Sequence, residues 1–94
     1  MESNSSTRTM EMALLIERLA DQLYFADLLR KKADDMDNAV QDPHDFRRIF
    51  MSQYDLERRH KQYLRAMRWA IKKAAETSED INKHLEELDH ESNK

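Results

Sequence analysis

A single proline, Pro43, interrupts a chain of 94 residues that contains no glycine. Long helical patterns lie on both sides of it, so the chain has to reverse within Val40-Gln41-Asp42-Pro43-His44-Asp45-Phe46. Asp42 suits an N-cap, because its carboxylate can accept from the free amides of the next turn. Pro43 then falls at the first helical position, where its missing N–H costs nothing, and Asp45 favours the positive helix end. Proline also pushes the residues before it out of the α region, which ends the first helix. No stretch carries the period of a strand. The expected fold is all-α: an antiparallel, coiled-coil-like two-helix hairpin with its turn at Gln41–His44.

The first helix is predicted to start near Thr7 or Thr9 and to run to about Asn38–Val40, after a disordered tail over residues 1–8. Its seam reads Leu15, Leu19, Gln22, Ala26, Leu29, Ala33, Met36 and Val40, spaced alternately four and three apart, which is a heptad pattern. Met12, Ile16 and Leu23 flank the seam on one side, and Leu14, Phe25 and Leu28 on the other. One partner helix covers a stripe of roughly 100° or a little more. The surplus apolar arc of Leu14, Ile16, Leu23, Phe25 and Leu28 is therefore either the core of a homodimeric four-helix bundle or a face for a different protein. A third helix from the C-terminus is a further candidate to cover it.

The second helix is predicted from Pro43 to at least Ala75, with a seam of Phe46, Phe50, Gln53, Glu57, His60, Leu64, Met67, Ile71 and Ala74, flanked by Ile49, Leu56, Tyr63 and Ala70. Folding about residues 41–42 brings His60 level with Gln22, as a polar pair that fixes register. Thr77 and Asp80 have capping-box spacing. The hairpin proper is therefore assigned to residues 9–77, and an acidic helical extension with a frayed end to 78–94. Ile81, Leu85 and Leu88 of that extension have no partner in a hairpin of this register.

Charge is segregated along the chain. Residues 9–42 hold eight acids and four bases, residues 43–75 three acids and nine bases, and residues 76–94 seven acids and two bases. The basic middle segment can find its complement within the chain, in a second copy or in a partner. No cysteine is present, which removes disulfides and thiolate chemistry. There is no Gly-rich phosphate loop, and two helices rarely enclose a pocket that excludes water, so no enzyme is expected and no cofactor is implied. Glu86 and His90 share a helix face and His84 lies nearby, but the segment is acidic and solvated, and no metal site is assigned. The longest apolar run, Met12–Ile16, is far too short to span a bilayer. The residues at the N-terminus have no basic region of a signal peptide. A cytoplasmic location and no membrane insertion are the expectations.

The second helix also presents Arg47, Met51, Tyr54, Arg58, Lys61, Arg65, Arg68, Trp69 and Lys72 on the face away from its seam. Aromatics interleaved with bases fit a nucleic-acid surface. They fit equally a solvated face or a dock for an acidic protein helix with Trp69 as anchor. The acidic chain as a whole, which would repel phosphate, weighs against nucleic acid.

From Met10 to Ala75 the layout resembles the small co-chaperones of type III secretion needle subunits. The resemblance rests on hairpin layout, turn position, and the Gln-Asp-Pro followed by an aromatic at Gln41-Asp42-Pro43-His44-Asp45-Phe46. The basic, aromatic second helix and the acidic segment after Ala75 depart from that pattern. The resemblance implies a cytosolic protein that, with a larger helical-repeat chaperone, holds a needle subunit so that it does not polymerise early. The covering surface would be the wide apolar arc. The expected function is thus protein binding, of a client or a larger chaperone, with a homodimeric adaptor or regulator as one alternative and a nucleic-acid-binding regulator as another.

Overall fold

The structure is a computed structural model that describes residues 2–92, with side chains over 7–91. Two helices of 40 residues each, α1 (Glu2–Gln41) and α2 (Gln53–Ser92), lie side by side, and a short 3-10 turn over Phe46–Ile49 sits between them. They form a rod of 66 × 16 × 14 Å, the length expected for ~40 residues at about 1.5 Å each. The all-α hairpin is therefore present, but its connection and register differ from expectation.

The connection spans residues 42–52 instead of 41–44. Asp42 does not cap a long helix: its Oδ1 accepts from the His44 amide at 2.9 Å, closing a local turn. Asp45 caps only the 3-10 turn, accepting from the Arg47 amide. The helix begins where Ser52 and Asp55 form a capping box. Ser52 Oγ accepts from the Asp55 amide at 3.1 Å and donates to the Asp55 carboxylate at 2.9 Å. That box, Ser52-Gln53-Tyr54-Asp55, is legible in the sequence and outcompetes the Asp42–Pro43 start. Phe46, Ile49 and Phe50 consequently leave the seam and stand 68%, 78% and 80% exposed at the tip of the rod.

With no glycine to close α1, a guanidinium does so. Arg48 donates through Nε to the carbonyls of Asp42 (2.8 Å) and Ala39 (3.3 Å), and through Nη2 to that of Val40. Those of Ala39 and Val40 are carbonyls that a helix end leaves unpaired, and that of Asp42 also accepts from the Asp45 amide at 3.2 Å. Arg47 holds the turn from the other side, gripping Asp45 through Nε and Nη2 at 2.8 Å each and reaching Asp35 on α1. The Arg47 side chain and its amide hold the Asp45 carboxyl down at about 2, from an ordinary 3.8.

The longer connection slides α2 forward. Ala26 and Leu29 pack with Ala70, with Tyr63, Ala66 and Met67 against them, and Glu11 meets His84. Each residue of α1 thus faces one whose number complements its own to about 95. The α1 seam is the expected one, with Ala26, Leu29 and Ala33 buried along it and Ala39 buried beside Val40. The α2 seam is rotated: Leu56, Ala70, Ala74 and Thr77 are buried, and His60, Tyr63, Met67, Ile81, His84 and Leu88 half-buried, whereas Gln53, Glu57 and Ile71 are exposed. Both readings share His60, Met67 and Ala74. The observed one continues the four-three spacing to Leu88, and its alanines allow the backbones to approach closely.

Three further expectations change with the register. No joint exists at residues 76–80; α2 runs through to Ser92, and Thr77, instead of capping a new segment, donates its hydroxyl to the Lys73 carbonyl at 3.1 Å. That bond satisfies a buried threonine inside a helix. Residues 78–92 form no separate extension, because they pair along the N-terminal half of α1. At the other end α1 begins at Glu2, and Arg8, expected in a disordered tail, is helical and ion-paired with Glu91. Met1, Asn93 and Lys94, the outermost parts of the expected tail and frayed end, lie outside the described residues.

Candidate functional site

Gln22 and His60 are not brought together. His60 is level with about residue 35 of α1, some 13 residues or roughly 20 Å from Gln22. The Gln22 Oε1 is buried in the seam and accepts no hydrogen bond. It faces the level of Lys73 and Ala74, where neither Ala74 nor the back-bonded Thr77 hydroxyl offers it a free donor.

The wide apolar arc of α1 is exposed, and the seam divides it into two sides. In an antiparallel pair, positions displaced in the same rotational sense from the seam lie on the same side of both helices. Ile16 and Leu23 follow the seam residues Leu15 and Gln22. Leu64, Ile71 and Leu85 follow Tyr63, Ala70 and His84 in the same way. One side of the hairpin therefore carries an apolar row from both helices, with Ile16, Leu23, Ile71 and Leu85 at 54%, 52%, 51% and 52% exposure and Leu64 half-buried. Sequence reasoning named Ile16 and Leu23 but placed Ile71 in the seam and left Leu85 without a role. Only the observed register joins the four.

The opposite side carries Met10, Leu14, Phe25 and Leu28, all exposed, along a single line of α1. Leu14 opens onto a shallow groove of about 260 Å³ that it lines with Glu11, Leu15, Arg18 and His84. His84 spans the groove floor. Its Nδ1 lies 3.0 Å from the Asp80 carbonyl and its Nε2 lies 3.3 Å from the Glu11 carboxylate. Both contacts, the Asp80 carbonyl first, raise the imidazole above its ordinary 6.5.

The outer face of α2 forms a third surface. Tyr54, Arg58, Arg65, Arg68, Trp69 and Lys72 are all exposed, as is Lys61, and among the described residues none of these five bases makes an ion pair. On α1, Asp27 and Asp34 engage bases of their own helix, Asp27 with Arg30 and Lys31 and Asp34 with Arg30. Trp69 is covered on one side by the Lys73 ammonium, 5.9 Å from its ring centroid. Of the residues first grouped here, Arg47 belongs to the turn, and Met51 is half-buried. A shallow depression of about 140 Å³ between Tyr54, Arg58 and Lys61 is closed by Glu57, which disfavours a phosphate there.

Among the described residues, no helix is long and apolar enough to cross a membrane, and no three histidine, aspartate or glutamate side chains converge as metal ligands would. No protein-family model matches the chain, and no curated protein or solved structure is significantly similar to it. The class that fold and surfaces define is an all-α helical hairpin with solvent-exposed apolar sides.

Proposed function

We propose that this hairpin is a protein-binding module, of the kind small secretion co-chaperones represent, which covers the apolar face of an amphipathic helical client and so blocks the client's own assembly. The observation that carries this reading is the line of Met10, Leu14, Phe25 and Leu28, exposed along one side of α1 beside the groove at His84. An amphipathic helix docks by presenting side chains at helical spacing to such a surface. The line consists of two apolar pairs, Met10 with Leu14 and Phe25 with Leu28, separated by Glu17 and Asp21, and apolar patches rimmed by polar residues mark interaction sites.

The test is co-expression with the needle-type subunit and the helical-repeat chaperone of the host, followed by size-exclusion chromatography. A stable complex is expected, and Leu14→Asp with Phe25→Asp should abolish it while helical circular dichroism is retained. Failure of the unmodified chain to join either protein would overturn the reading. The unpaired bases Arg58, Arg65 and Arg68 beside Tyr54 and Trp69 support a second reading, nucleic-acid binding through the outer face of α2. That reading requires affinity that falls steeply with salt and a slope that flattens when the three arginines are replaced.

A further inference from the structure

We propose that the side lined by Ile16, Leu23, Leu64, Ile71 and Leu85 is a homotypic interface on which a second copy of the chain lies antiparallel, related by a two-fold axis across the rod, to give a four-helix bundle. This uses the side of the seam opposite the client surface and does not depend on the client reading.

Three features centre on the same level of the rod. On α2, Leu64 and Leu85 are symmetric about residues 74–75. On α1, Ile16 and Leu23 are symmetric about residues 19–20, which the register places level with about residue 75 or 76 of α2. Along the outer face of α2 the charge changes sign between Lys72 and Glu76: Lys61, Arg65 and Arg68 lie before that point, and Glu79 and Glu86 after it, with Glu57 and Lys83 the exceptions. A two-fold axis through that level sets Leu64 against Leu85 of the second copy twice over. It pairs Ile16 with Leu23 in the same manner. It also lays the basic half of each α2 along the acidic half of the other. A parallel two-fold arrangement would instead lay each α2 along the α1 of the other copy and forgo this complementarity. An isologous interface requires this kind of self-complementarity, and a client helix with no relation to the chain does not.

The extent of the surface sets the strength. The row from Leu64 to Leu85 is about 32 Å long at ~1.5 Å per residue, and the rod is 16 Å wide. That is about 500 Å² per copy and roughly 1,000 Å² in total, at the lower limit for a specific interface. A reversible dimer with a micromolar dissociation constant is expected, not an obligate one.

The experiment is sedimentation equilibrium of the full chain from about 1 to 500 μM, with circular dichroism on each sample. The unmodified chain should pass from monomer to dimer across that range. Ile71→Asp, at a half-exposed position, should weaken dimerisation at least tenfold with helicity unchanged. A double variant K61E/R68E and a double variant E79K/E86K should each lose the dimer alone and recover it when mixed in equal amounts, because each supplies what the other lacks. Orientation is read by oxidative crosslinking of single-cysteine variants: Ala75→Cys, near the axis, should crosslink, and Phe50→Cys, at opposite ends of the assembly, should not. A monomer throughout the range overturns the proposal, as does a dimer indifferent to Ile71→Asp, a failure of the mixed variants to recover, or crosslinking through Phe50→Cys.

Discussion

Glu11 and His84, 73 residues apart in sequence, meet across the seam with Oε2 3.3 Å from Nε2. The contact ties the start of α1 to the end of α2, and Arg8–Glu91 extends it outward. The far end of the rod is thus closed by charge, where the aligned alanines have thinned out.

That clasp is pH-dependent. The folded imidazole is held above its ordinary 6.5 by the Asp80 carbonyl and the Glu11 carboxylate. A group raised in the folded state contributes stability that is complete below its unfolded value and is lost as pH rises through the folded one. Amide exchange near residues 8–15 and 80–91, taken relative to the intrinsic rate at each pH, should therefore be slower at pH 5.5 than at pH 8. In His84→Leu that difference should vanish; an unaltered difference would assign it to other groups.

At the opposite end the sign reverses. The Asp45 carboxyl is lowered from 3.8 to about 2 by the Arg47 side chain and amide. Its contribution is present above the unfolded value and disappears as pH falls through that interval. Acid titration should loosen the tip between about pH 4 and pH 2, seen as faster amide exchange at residues 45–50 relative to the intrinsic rate at each pH. Asp45→Asn should show that faster exchange already at neutral pH.

Among the described residues, Leu56 is the one large side chain with no exposed surface, and it stands one turn into α2 beside the capping box. Leu56→Ala should cost about 2–5 kcal/mol, while Ser52→Ala, which removes the cap, should cost about 1 kcal/mol. Urea denaturation of the two variants should reproduce that order. Equal losses would mean that the start of α2 depends on the cap and hardly on packing.

Gln22→Leu should stabilise the hairpin. The Gln22 Oε1 is buried without a donor, and such a group costs about 1–3 kcal/mol. A raised melting temperature, measured at a concentration where the chain is monomeric, is the expected outcome. A lowered one would show that the amide engages α2 through contacts other than its oxygen.

Much of the hairpin is legible before any coordinates. The α1 seam from Leu15 to Val40 follows from its spacing alone, because seven of its eight residues are apolar and no competing row matches it. In α2 two rows compete. Phe46 and Phe50 draw the reading towards the wrong one, since an aromatic pair at i, i+4 resembles a seam wherever it falls. The deciding signal, Ser52 three residues before Asp55, is also in the sequence, but it has to win against Asp42–Pro43. The basic outer face of α2 is visible at once, since a charged stripe reports only its own helix.

The sequence by itself thus determined the helices, their reversal near Pro43, the α1 seam and the segregation of charge, because each depends on residues close together along one chain. Register and side are relations between two helices, and only the tertiary structure decided them. A connection of residues 42–52 in place of 41–44 slides α2 past α1 by some 13 residues and turns its seam. That places Thr77, Ile81 and Leu88 inside the hairpin and leaves Ile71 and Leu85 beside Ile16 and Leu23. The apolar surface a partner meets is set by that offset, since packing of small alanines and the clasp at Glu11 and His84 select it.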